Sequence, residues 1–187
     1  MKALIVEDND DDRRLLKEAI KYYGWEVLDA SDGEIAFDLA IKEKPAVIIS
    51  DILIPKIDGF ELIWMIKQNE ETKNIPFIFY SAEYTGDKEK KLTMALGAEA
   101  FIEKPKEPEE LCRKIFEIVE QCQIKKSSRL PDMELILKEK DFLKKYSSIV
   151  AAKLYEKVKE LSELNKKYFK LYNEFRTFLD SLPDAIY

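Results

Sequence analysis

Short apolar runs alternate with charged, periodic stretches through the first ~122 residues. The runs are Ala3–Val6, Trp25–Leu28, Ala46–Ile49, Pro76–Tyr80 and Ala100–Ile102. Three of them are continuous and rich in β-branched or aromatic residues, as parallel strands covered on both faces require. Between and after them, residues 10–22, 33–43, 58–69, 87–96 and 107–122 carry the spacing of amphipathic helices. Five strands alternating with five helices predict an α/β fold, a doubly wound parallel sheet with right-handed crossovers. Gly24 and Gly97 fall where helices must stop just before a strand.

The pattern changes near residue 124. No glycine follows, and only Pro131 and Pro183 interrupt the remainder, both near its ends. Apolar residues recur three and four apart at Leu154, Leu161, Leu164, Tyr168, Leu171, Phe175, Phe178 and Leu182, and backward at Val150, Leu143 and Ile136. This is a heptad seam with polar breaks at Lys140, Ser147 and Lys157. An amphipathic helix packed back on the first domain would share the stripe. However, a 3.5-residue repeat sustained over several heptads favours a coiled coil, which would pair two chains in parallel. The predicted organisation is a domain over 1–122, a linker over 123–132 and a long helix over 133–182.

Composition narrows the possibilities. With 31 Lys and Arg against 37 Asp and Glu, the net charge is −6, and no basic face suggests nucleic-acid binding. No apolar run approaches the ~18 residues of a membrane span. The opening MKALIVEDNDDD lacks the basic start and apolar stretch of a signal peptide, so a cytoplasmic protein is expected. Cys112 and Cys122 lie ten residues apart in a helical stretch, ~15 Å along its axis, too far for a disulfide. The chain has no histidine, which excludes a histidine-activated nucleophile and most zinc sites.

The chemistry gathers at the ends of the predicted strands. Glu7 and Asp8 follow the first strand and Asp51 follows the third. In a sheet of order 2-1-3-4-5 those strands are neighbours, so three carboxylates converge. Their mutual repulsion raises their pKa values unless a cation intervenes, and Mg²⁺ suits a shallow all-oxygen site. Ser81 ends the fourth strand and Lys104 follows the fifth, at the same edge. A hydroxyl and an ammonium facing a carboxylate–metal cluster supply what a transferred phosphoryl group needs.

The series Glu7-Asp8, Asp51-x-x-x-Pro55-x-x-Asp58-Gly59, Ser81-Ala82 and Lys104-Pro105 resembles the response-regulator receiver domain of two-component signalling. The resemblance covers residues 1 to about 122 and implies a flavodoxin-like sheet. It implies that Glu7, Asp8, Asp51 and the main-chain carbonyl of Leu53 hold Mg²⁺. Asp51 would be the phosphoacceptor, and Ser81 and Lys104 would bind the phosphoryl oxygens. The donor would be a histidine kinase or histidine phosphotransfer protein. The chain would not be a conventional enzyme, although it would phosphorylate and slowly dephosphorylate itself at Asp51. Phe101 occupies the place of an aromatic switch that works with Ser81, and it reads equally as a core residue. Pro55 and Gly59 would shape the loop after Asp51, and Pro105 would follow a cis bond. Leu53 is apolar where relatives often carry a polar side chain.

Other readings fit less well. Asp8-Asn9-Asp10 superficially matches the Asp-x-Asp of haloacid-dehalogenase-type phosphatases, but Asp12 replaces the usual Thr or Val and the late acids are absent. A calcium loop over residues 9–12 lacks its glycine and terminal glutamate. A receiver-like scaffold that is never phosphorylated is the other alternative. Residues 178–187, Phe-Leu-Asp-Ser-Leu-Pro-Asp-Ala-Ile-Tyr, resemble the opening of a PAS sensory domain, which would start at 183–187 and make this chain a piece of a longer sensor protein, with a histidine kinase or another output beyond.

Overall fold

A computed structural model describes residues 1–82, 87–104, 107–125, 131 and 140–181. Five strands, β1 (Lys2–Val6), β2 (Glu26–Ala30), β3 (Val47–Ser50), β4 (Phe77–Ser81) and β5 (Ala100–Glu103), form one parallel sheet of order β2-β1-β3-β4-β5. The helices of this unit are α1 (Asp10–Tyr22), α2 (Gly33–Glu43), α3 (Gly59–Gln68), α4 (Asp87–Ala95) and α5 (Pro108–Lys125). The predicted doubly wound sheet is the observed one. α5 runs three residues past its predicted end.

The strand order explains the composition of the strands. β1 and β3 are central, and Leu4, Ile5, Ile48 and Ile49 are wholly buried because helices cover both faces. Helix boundaries follow local chemistry. Asn9, Asp32 and Asp58 cap α1, α2 and α3, each accepting main-chain N–H bonds through its side chain. Gly24 (φ 83°) and Gly97 (φ 98°) adopt the left-handed conformation after α1 and α4, where other residues would be strained. Trp25, read as part of a strand, stands just before β2 and packs edge-on against Phe116 of α5 at 5.1 Å.

At the amino-terminal edge of the sheet, a charge lies inside the fold. The Lys67 side chain on α3 is fully buried and pairs with Glu99 at 3.3 Å. The ammonium also donates to the Ile75 carbonyl at 3.0 Å, and Glu99 accepts the Phe77 amide at 2.5 Å. Burial holds the Lys67 ammonium below its ordinary pKa, and the facing carboxylate opposes that shift.

The chain divides into two compact units, Met1–Lys138 and Glu139–Tyr187. The described part of the second is α6 (Lys140–Ser181), a helix of 42 residues. At ~1.5 Å per residue it extends roughly 63 Å. Its seam residues Leu154, Leu161, Leu164, Tyr168, Leu171, Phe175 and Phe178 are all exposed. Residues 133–139 of the predicted helix and Leu182 lie outside the described residues, as do the PAS-like residues 183–187. No helix among the described residues is long and apolar enough to cross a membrane.

Replacing one partner of the buried pair isolates its contribution. Lys67→Met leaves the Glu99 carboxylate buried without its ammonium and is expected to cost about 3 kcal/mol in urea denaturation. Lys67→Met/Glu99→Gln should recover most of that loss, because the glutamine oxygen still accepts the Phe77 amide. Equal stabilities of the single and double variants would contradict this account.

Candidate functional site

Parallel register brings the strand tips level. The Asp51 amide donates to the Val6 carbonyl at 2.9 Å, and the Glu7 amide donates to the Ala30 carbonyl at 3.1 Å. The Lys104 amide reaches the Ser81 carbonyl at 3.0 Å. Glu7, Asp51, Ser81 and Lys104 therefore leave the sheet at one carboxyl edge, where α/β folds place their sites.

Their side chains interlock. The Lys104 ammonium donates to Asp51 Oδ2 at 2.9 Å and also to Glu7 Oε2, with Asp12 a further partner at 3.7 Å. It lies 5.4 Å from the centre of the Tyr80 ring. Asp51 Oδ1 accepts from the Ser81 hydroxyl at 2.7 Å and from the amides of Ile52 at 2.6 Å and Leu53 at 3.4 Å. Glu7 and Ser81 are buried, whereas Asp8, beside Glu7, is exposed. Leu53 is half-buried. Phe101 sits on β5 in register with Phe79, half-buried, with the Lys90 ammonium 5.9 Å from its ring centre. Pro105 and its peptide bond lie outside the described residues.

The loop after Asp51 is held from two sides. Gly59 opens α3 where a Cβ would fall 2.5 Å from the Asp51 carbonyl, so only glycine allows this approach. Its amide donates to the Ile52 carbonyl at 2.7 Å. Pro55 accepts the Gly33 amide at 3.4 Å, and a Cβ on Gly33 would lie 2.0 Å from the Ile57 carbonyl. Between them Lys56 adopts a left-handed φ of 64° and pairs with Asp32 at 2.9 Å and Glu34 at 3.1 Å. Asp12 entered the sequence reading only against a phosphatase motif and a calcium loop, and Asp32, Gly33 and Lys56 were not singled out. The Asp32-Gly33 pair, a capping residue followed by glycine, was the available signal.

Electrostatics sets the charge state of this cluster. Burial pushes the Asp51 carboxyl up, but the Lys104 charge and the bonds from Lys104, Ser81 and Ile52 outweigh it and leave the pKa below the usual value. For Glu7, burial prevails over Lys104 and the pKa is raised. Lys104 itself is pushed well above the ordinary lysine range, because the two carboxylates overcome its burial. A depressed carboxyl contributes stability above its unfolded pKa of ~3.9, and that contribution is lost as pH falls through the folded value. For the raised Glu7 carboxyl the sign is the opposite, its contribution being present below the unfolded value and lost as pH rises through the folded one. Lys104→Met removes the main lowering influence, so Asp51 and Glu7 should both titrate higher in carboxyl ¹³C NMR recorded in EDTA. An unmoved Asp51 resonance would contradict the assignment of Lys104 as the dominant counter-charge.

The model of the response regulator receiver domain matches residues 3–116. The alkaline phosphatase synthesis transcriptional regulatory protein PhoP of Bacillus subtilis is 32% identical over 123 residues, covering 66% of this chain and 50% of the relative. The polar-differentiation response regulator DivK of Brucella anthropi is 33% identical over 103 residues, covering 55% of this chain and 83% of the relative. The structure of chemotaxis response regulator CheY4 of Vibrio cholerae superposes with a TM-score of 0.59 at 31% identity, covering 63% of this chain and 97% of that one. The chain spans about half the length of several curated relatives, 42% of a probable transcriptional regulator from Guillardia theta and 50% of PhoP. With the family model spanning well over half its length and the sheet in the same order, this chain belongs to the response regulator receiver domain family.

Proposed function

We propose that Asp51 accepts a phosphoryl group from a histidine kinase or a histidine phosphotransfer protein, with Mg²⁺ as cofactor. The observation that carries this reading is the pairing of Asp51 with Lys104 and Ser81 at one sheet edge. A carboxylate held below its usual pKa is ionised at neutral pH, as a nucleophile toward phosphorus must be. In the transfer, a carboxylate oxygen of Asp51 forms a bond to phosphorus while the bond to the donor imidazole nitrogen breaks, its electron pair returning to the ring. Lys104 and Ser81 then meet the phosphoryl oxygens, whose charge is spread over three positions. A cleft of about 400 Å³ opens beside Lys104, lined by Leu15, Leu16, Tyr80, Pro108 and Leu111, and offers a partner side chain a place to seat.

The donor set suits a hard cation. Among the described residues no three acidic side chains form a ready-made cage. Mg²⁺ does not need one, since it binds through one or two carboxylates and keeps several waters. Glu7, Asp8 and Asp51 would hold it, with the Leu53 carbonyl. When bound, the ion neutralises charge on the carboxylates and the arriving phosphoryl oxygens.

Phosphorylation is the proposed switch. A phosphoryl group adds nearly two negative charges next to Ser81 and competes for its hydroxyl. Drawing Ser81 toward the phosphate would vacate space for the Phe101 ring, which is half-buried where Phe77 and Phe79 are wholly enclosed. The downstream element is the helix predicted over 133–182, seen as α6, which we propose to pair with a second copy as a parallel coiled coil. Its row of exposed Leu, Tyr and Phe side chains at heptad spacing supports this reading. The proposed setting is the cytoplasm, with the domain over 1–122 and a linker over 123–132.

Two measurements test the proposal. Acetyl phosphate and Mg²⁺ should add one phosphoryl mass to the wild type but none to Asp51→Asn, whereas equal labelling of both would refute Asp51 as acceptor. Leu161→Cys and Leu171→Cys should each form a cross-linked dimer under mild oxidation, with yields altered by beryllofluoride. Monomers throughout would refute the coiled coil.

A further inference from the structure

Beneath the acidic pair lies a cation that phosphoryl chemistry does not use. Arg13, in the first turn of α1, is mostly buried, its side chain 17% exposed. One nitrogen of its guanidinium, Nη1, donates to the main-chain carbonyl of Glu7 at 2.8 Å and to that of Asp8 at 3.4 Å. The other, Nη2, bonds Asp10. Nε faces Asp29 of β2 at 3.5 Å, and Asp29 is held in turn by Lys17.

These contacts meet a local need. β1 ends at Val6, so the Glu7 and Asp8 carbonyls lie past the last residue of the ladder. An unsatisfied carbonyl there would be free to rotate its peptide plane, and with it the side chains of the two acids. The guanidinium is planar, always charged, and donates in fixed directions, so it fixes both planes at once. Its outer anchors, on β2 and on α1 itself, make the fixture independent of Asp51 and Lys104.

We infer that Arg13 is a positioning residue, whose fork, Nη1 on the Glu7 and Asp8 carbonyls and Nε toward Asp29, presents the two acids' carboxylates to one divalent ion. The inference rests on the Mg²⁺ reading above. Outer partners that orient metal ligands typically change affinity by ten-fold or more when removed. Lysine at this position keeps the charge but, as a point donor, cannot span two carbonyls and Asp29 together.

The test is calorimetric titration of MgCl₂ into the full chain, alongside thermal midpoints in EDTA. Wild type should bind, Asp8→Asn should weaken binding, and Arg13→Gln should weaken it roughly ten-fold. Arg13→Lys should fall between wild type and Arg13→Gln. Wild-type affinity in Arg13→Gln would overturn the inference, even if its midpoint drops, since that marks a merely structural role. Wild-type affinity in Arg13→Lys would overturn the fork. Should Arg13→Gln fail to fold by circular dichroism, Arg13→Lys decides alone. Failure of the Mg²⁺ reading itself has a separate signature, a wild type that shows no binding heat or an Asp8→Asn that binds unchanged, and it overturns the inference along with it.

Discussion

Everything at this site depends on a single carboxylate being kept charged inside a fold. Asp51 is largely enclosed, and enclosure alone would protonate it. Lys104 prevents this from one oxygen, and Ser81 with two main-chain amides prevents it from the other. The four donors come from three different strand ends, so the charge state of one residue depends on the register of the sheet. A slip of one residue in β5 would swing Lys104 to the other face. The Glu103–Ser81 register and the Lys104 amide bond to the Ser81 carbonyl fix it.

Position along the chain was enough to read some of this. Strand ends are one-dimensional features, and Glu7, Asp8, Asp51, Ser81 and Lys104 could be picked out because each falls within two residues of the end of an apolar run. The glycine stops were equally legible, since Gly24 and Gly97 act within a few residues of themselves. Contacts that depend on reach across elements were not. Lys67 looks like a solvated charge at the end of an apolar helix, and only the fold shows its ammonium lying against Ile75 and Glu99. Arg13 resembles any basic residue on a charged helix until the β1 terminus is seen to run beneath it. Lys56 carries no sequence mark of its left-handed backbone.

The two edges of the sheet solve opposite problems. At the amino-terminal edge, the Lys67–Glu99 pair is sealed in, with its hydrogen-bonding groups also engaging main-chain atoms of Ile75 and Phe77. Such a pair is weak evidence for stability, but breaking it is costly, so it favours one arrangement over its competitors. At the carboxyl edge, the charges are stacked so that one cation, Lys104, serves three acids. Among the described residues no buried side-chain nitrogen or oxygen lacks a partner, so this sharing is complete as it stands.

On the proposed function, a shared cation is also what would make the site responsive. Lys104 divides its bonds between Glu7 and Asp51, so any new anion on Asp51 must be met by redistributing them. Ser81 is in the same position, since its hydroxyl donates to the oxygen it would have to leave. Neither change asks the frame to move. Arg13 fixes the first strand tip from below, and the Asp32–Lys56 pair, with Gly33 and Gly59 admitting close backbone contact, fixes the loop after the third. The rigid parts are those bonded to main chain, and the adjustable parts are side-chain donors. On the proposed function, a phosphoryl group would therefore be read out as a rearrangement of a few hydrogen bonds rather than a refolding of the edge.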